Sequence, residues 1–157
     1  MNTIGNYFRS IGILHAALCI STAIIIFLLR FMGKDHVPSS NGQVFFIVGI
    51  VIAAINLIIS RMMLFKTVTP AQQAPNLDTK LTLFRSGFII QMALLEGAAI
   101  INIIFWFMGG NTFNLGISLG LLFLMVFRRP TRSLVQGLVF NTNEDSRIVY
   151  NDEGSIE

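Results

Sequence analysis

The chain has 157 residues, 54% of them hydrophobic and only 12% charged, with a formal net charge of +3. A mean hydropathy of +0.71 leaves too little charge to coat a water-soluble domain of this length, so a bilayer is the expected solvent. The single cysteine, Cys19, excludes a disulfide framework and a cysteine-based metal site.

The first apolar block, Ile11–Met32, follows Arg9 and is long enough to span, so it reads as a membrane helix and not as a cleavable leader. The second and third blocks are Val44–Leu64 and Gly87–Met108. Each of the three is about 20 residues, the length that crosses roughly 30 Å of hydrocarbon. The fourth, Phe113–Phe127, is short and reaches spanning length only as 111–128, with arginine stems snorkelling to the headgroups. Arg128-Arg129-Pro130 stops it, because proline cannot continue the helix. The connection Phe65–Phe84 carries Pro70, Gln72, Gln73 and Pro75 and is expected to be irregular. Ser133–Phe140 is mildly amphipathic, and from Asn141 the chain is an acidic polar tail. The expected organisation is therefore an all-α membrane domain over residues 1–132, followed by a mobile tail over 133–157.

Of the eleven Lys and Arg residues, nine flank the two termini and the middle connection, and only Arg30 and Lys34 fall on the opposite side. This bias predicts cytoplasmic termini and a cytoplasmic middle loop in a bacterial inner membrane. The basic residues are dispersed at membrane edges without interleaved aromatic platforms, which speaks against a nucleic-acid partner.

The halves read as copies. With an offset of 76, Arg9-Ser10 matches Arg85-Ser86, Ala23-Ile24-Ile25 matches Ala99-Ile100-Ile101, and Phe31-Met32-Gly33 matches Phe107-Met108-Gly109. With an offset of 67, Gly49, Ala53 and Arg61 match Gly116, Gly120 and Arg128. Small residues four apart recur in each span: Ala17 and Ser21, Gly49 and Ala53, Ala93 and Gly97, Gly116 and Gly120. Such pairs share a helix face and let backbones approach closely in lipid. The pattern predicts a compact four-helix bundle of two tandem in–out–in hairpins.

Glu96 is the only acidic residue inside a span and sits about 3 Å from the midpoint of its block. An ionised carboxylate at that depth costs roughly 2.5–3.5 kcal/mol, so it must be neutral, paired or wet. Ser21, Thr22, Asn56 and Ser118 fall at similar depth and are its candidate partners. Asn102, six residues on, lies about 240° around the helix and does not share the Glu96 face. His15 lies nearer the cytoplasmic interface, where imidazole stays hydrated, and Trp106 and Tyr7 are placed as interface anchors.

The string Ala93-Leu94-Leu95-Glu96-Gly97-Ala98-Ala99-Ile100 resembles the ion-binding helix of the c-type proteolipid subunits of rotary ATP synthases. That resemblance implies a proton or sodium site at Glu96 and assembly into a ring. The chain as a whole resembles small four-span inner-membrane proteins of bacteria, through the Ala-Leu-x-Glu-Gly string and Arg129-Pro130-Thr131 after the last span. The sequence contains no nucleophile–base pair, metal-ligand cluster or phosphate-binding glycine loop, so neither enzymatic activity nor a cofactor is expected. Two functional classes remain. One is an accessory or transport-related subunit that binds lipid, copies of itself or other membrane subunits. The other is a proton-binding proteolipid or small proton-coupled transporter.

Overall fold

The computed structural model describes residues 4–32 and 40–139. The chain forms α1 (Ile4–Met32), α2 (Gly42–Gln73), α3 (Leu77–Gly109), α4 (Thr112–Phe127) and α5 (Arg132–Val139), with no strand among the described residues. Helices are the expected answer to lipid, because a backbone without water must bond to itself. Three stretches, Gly5–Met32, Gly42–Gln73 and Leu77–Gly109, are long and apolar enough to cross a membrane. The fourth candidate passes the same test only when α4 and α5 are taken together as one bent span. The apolar window of α3 is 44% buried, against 28% in α1 and 11% in α2, so α3 is the most enclosed of these three helices.

The distribution of polarity suits a lipid solvent. Phe27, Met32, Phe113, Phe123 and Phe127 are among the large apolar side chains that face outward, whereas Thr22, Asn102, Asn114 and Ser118 are fully buried. A soluble protein shows the opposite arrangement.

The helices overrun the apolar blocks. α2 has 32 residues and so extends about 48 Å, beyond the thickness of a hydrocarbon core. The middle connection is accordingly not an irregular loop: α2 runs through Gln73, and only Ala74–Asn76 interrupt it before α3. Pro70 is tolerated inside α2 on an exposed position, where water can take up the carbonyl whose donor proline lacks. Asn76 starts α3 by accepting from the Thr79 backbone N–H at 3.0 Å. Between α3 and α4, Gly110 takes a φ of 70°, and the Asn111 side chain accepts from Phe113 N–H at 3.0 Å.

The chain packs as two units. The first comprises the described residues of Met1–Ala16, Arg61–Gln91 and Arg129–Glu157. Its core holds Ile11, Val68, Ala71, Leu81, Phe84, Phe88, Val135 and Val139. Tyr7 Oη donates to the Leu81 carbonyl at 2.7 Å. The expected tail begins with α5, an ordered helix: Thr131 Oγ1 accepts from Leu134 N–H at 3.3 Å, and Gln72 Nε2 donates to the Leu138 carbonyl at 2.7 Å. The Arg132 guanidinium lies over the Phe8 ring at 5.6 Å. His15 is 7% exposed and tilts against Phe88 at 5.9 Å, so it is a packed side chain and not a hydrated one. The remainder of the expected acidic tail, from 140 on, lies outside the described residues.

The second unit comprises Ala17–Ser60 and Met92–Arg128. Ile26, Ile103 and Trp106 form its apolar centre, with Leu29, Leu115 and Leu122 packed around them. Trp106 is therefore a core residue, 6% exposed, with Arg30 5.5 Å from its ring, and not an anchor on the lipid-facing surface. The small residues expected on close-packing faces differ in burial within the chain. Gly49 is buried, but Ala17 and Ala93 are exposed, and a Cβ added at Gly97, Gly116 or Gly120 would meet nothing within 4 Å.

Candidate functional site

Glu96 lies in the second unit, on the face of α3 turned toward α1, and is half-buried. Its Oε1 accepts from Ser21 Oγ at 2.6 Å and from Thr22 Oγ1 at 3.4 Å. An O–H···O contact of 2.6 Å is at the short end of the range for its class. Ser21 and Thr22 are consecutive, about 100° apart around α1, and one carboxylate oxygen between two such positions meets both. Depth placed these residues together, and their orientation on α1 completes the contact.

Both hydroxyls have a second acceptor. Ser21 Oγ is 2.9 Å from the Leu18 carbonyl and Thr22 Oγ1 is 2.8 Å from the same oxygen. Each hydroxyl carries one proton. At any instant, each proton goes either to the helix carbonyl or to the carboxylate.

The other two residues expected in this layer do not reach Glu96. Asn56 Nδ2 donates to Ile52 O of its own helix at 2.9 Å. Ser118 Oγ lies 2.8 Å from Ala99 O and 3.1 Å from Asn114 O, and is engaged there and not at Glu96. Asn102 likewise stays off the Glu96 face, as its angular offset requires.

A second polar cluster escaped the sequence reading. Asn102 and Asn114 are both fully buried and converge on Gly49 of α2. Asn102 Nδ2 bonds to Ala98 O at 2.9 Å and to Gly49 O at 3.3 Å. Asn102 Oδ1 and both side-chain polar atoms of Asn114 have no hydrogen-bond partner among the described residues. The available signal was two asparagines within apolar helices at the depth of a glycine on a neighbour. No cluster of three or more His, Cys, Asp or Glu side chains suited to a metal occurs among the described residues. No family model, curated protein or solved structure matches the chain.

Proposed function

We propose that the chain is a multi-pass inner-membrane protein in which Glu96 binds and releases a proton within an accessory or transport-related subunit. In this reading residues 1–132 form a four-helix bundle of two tandem in–out–in hairpins, derived by duplication, with both termini in the cytoplasm. The nine-against-two distribution of basic residues supports that orientation.

The observation that carries the reading is the pair of shared hydroxyls. When Glu96 is ionised, Ser21 and Thr22 turn their protons to Oε1. When it is protonated, they return them to Leu18 O, and Ser21 Oγ is left free to accept from the carboxyl. The 2.6–3.4 Å distances to Glu96 and the 2.8–2.9 Å distances to Leu18 O serve both states without movement of a heavy atom. A site that must exchange a proton in low dielectric needs such a pair of bonded states.

The test is reaction of the purified full chain in detergent with a hydrophobic carbodiimide across a pH series, read by mass spectrometry. Labelling of Glu96 that declines as pH rises, and that is absent in Glu96→Gln, is the expected result. Absence of labelling at every pH in folded protein overturns the proposal.

One observation favours a second reading. Ala17, Ala93, Gly97, Gly116 and Gly120 leave open, small-residue helix faces. An assembly subunit that seats other membrane helices on those faces has a use for them, with the Ser21–Glu96 bond as a structural lock. Glu96→Gln would then disturb assembly and leave proton-linked activity unchanged.

A further inference from the structure

In the first unit, a cavity of about 540 Å³ lies between the first turns of α1 and the first four turns of α3. That volume falls within the roughly 300–1,000 Å³ typical of small-molecule sites. Tyr7 and Ser10 line it from α1, and Asp78, Thr82, Arg85 and Ile89 line it from α3. The α3 residues succeed one another by four, three and four positions and so share one face. Along that face the lining passes from a carboxylate through a hydroxyl and a guanidinium to an apolar side chain.

Arg85 is half-buried, and it makes no hydrogen bond or ion pair with any described residue. Thr82 lies three residues before it on the same face, the direction in which the Cα–Cβ bonds of a helix tilt. The Arg85 charge acts on the neighbouring Tyr7 hydroxyl of the same lining, and a guanidinium among hydroxyls is a forked donor suited to a phosphate. Asp78 in the same lining disfavours a ligand that is only anionic and offers a partner for a positive group. Asp78 and Arg85 lie about 10.5 Å apart along the axis, a gap that the arginine side chain shortens. Arg85 lies two residues before the apolar stretch that starts at Gly87, where a membrane helix is expected to leave hydrocarbon for headgroups.

We propose that this cavity binds a zwitterionic phosphate–ammonium group, with the phosphate on Arg85, Ser10 and Thr82 and the ammonium toward Asp78. The same group is presented by a phosphatidylethanolamine headgroup and by soluble phosphoethanolamine. The inference is independent of Glu96.

The experiment is native mass spectrometry of the full chain released from mixed micelles containing phosphatidylethanolamine or phosphatidylglycerol. The variants are Arg85→Gln, Asp78→Asn and, as a surface control, Arg9→Gln. The expected result is retained phosphatidylethanolamine in the unmodified chain and in Arg9→Gln, at least a tenfold loss in Arg85→Gln, and loss of preference over phosphatidylglycerol in Asp78→Asn. Ser10→Leu, which fills the cavity from α1 without changing charge, must also abolish retention and keeps the test decisive if Arg85→Gln fails to fold. Displacement of the lipid by soluble phosphoethanolamine identifies the headgroup as sufficient, and failure to displace it assigns the site to the lipid. Equal retention by Arg85→Gln and Arg9→Gln, or phosphatidylglycerol held as tightly as phosphatidylethanolamine by the unmodified chain, overturns the proposal.

Discussion

Replacing Gly49 by alanine tests the packing of the second unit at its tightest point. The new Cβ would lie 2.7 Å from Asn114 Oδ1 and closer still to Asn102 Oδ1, nearer than real Cβ atoms pack. Both asparagines are fully buried, so neither can swing into solvent. Overpacking of this kind costs about 1–3 kcal/mol. Displacing Asn102 also weakens its 3.3 Å bond to Gly49 O, worth about 0.6 kcal/mol by the average for membrane helices. The better helix propensity of alanine returns up to about 1 kcal/mol. The net expectation is a destabilisation of about 1–3 kcal/mol. Gly116→Ala, whose Cβ meets nothing within 4 Å, keeps only the propensity gain and should be neutral or slightly stabilised. The chain's single tryptophan, Trp106, is buried in the same unit, so its fluorescence during titration from mild detergent into dodecyl sulfate reports the transition. Midpoints that shift equally for the two variants would refute the contact geometry at Gly49.

Ser21→Ala removes the closer donor to Glu96 Oε1 and leaves Thr22 at 3.4 Å, so carbodiimide labelling at fixed pH should rise several-fold relative to the unmodified chain. Gln72→Leu deletes the bond to Leu138 O, at a cost of about 1 kcal/mol, and hydrogen exchange over Arg132–Val139 should accelerate accordingly. Thr131→Ala removes the α5 cap, again about 1 kcal/mol, and should speed exchange at the start of the same helix while the α3 amides stay unchanged. Gly87→Ala drives a Cβ into Thr67 Oγ1, and Gly87→Ala with Thr67→Ser should remain impaired because the hydroxyl persists; restoration requires Thr67→Ala, measured by thermal aggregation in detergent.

The spans were legible because hydrocarbon thickness imposes a length on apolar runs, and Ile11–Met32 and Gly87–Met108 both lie inside single helices. Their helical ends were not, because hydropathy marks where a helix meets lipid while caps mark where it stops. Asn76 and Thr131 act as caps beyond the apolar blocks, and Pro70 sits in a helix that composition read as a loop. The Glu96 site was legible in height and only partly in direction. Ser21 and Thr22 meet Glu96, whereas Asn56 and Ser118, at the same depth, point into other contacts. Depth follows from counting residues, but azimuth depends on which face each neighbour presents, and all-round apolar helices give no hydrophobic stripe from which to read it. Trp106 was misplaced for a related reason: height near a span end suits an interface anchor, yet its direction carries it into the core with Ile26 and Ile103.

The outward apolar surface and inward polar groups also decide what kind of event unfolding is. Each long helix already satisfies its own backbone and exposes side chains that lipid solvates as readily as a neighbouring helix does. Separation of α3 from α1, α2 and α4 would therefore leave the helix content almost unchanged while releasing Asn102, Asn114 and Glu96 to hydrocarbon. The buried hydroxyls and amides, together with the apolar contacts around Ile26, Ile103 and Trp106, therefore fix how these helices meet, and a variant can keep every helical turn while losing that side-chain order.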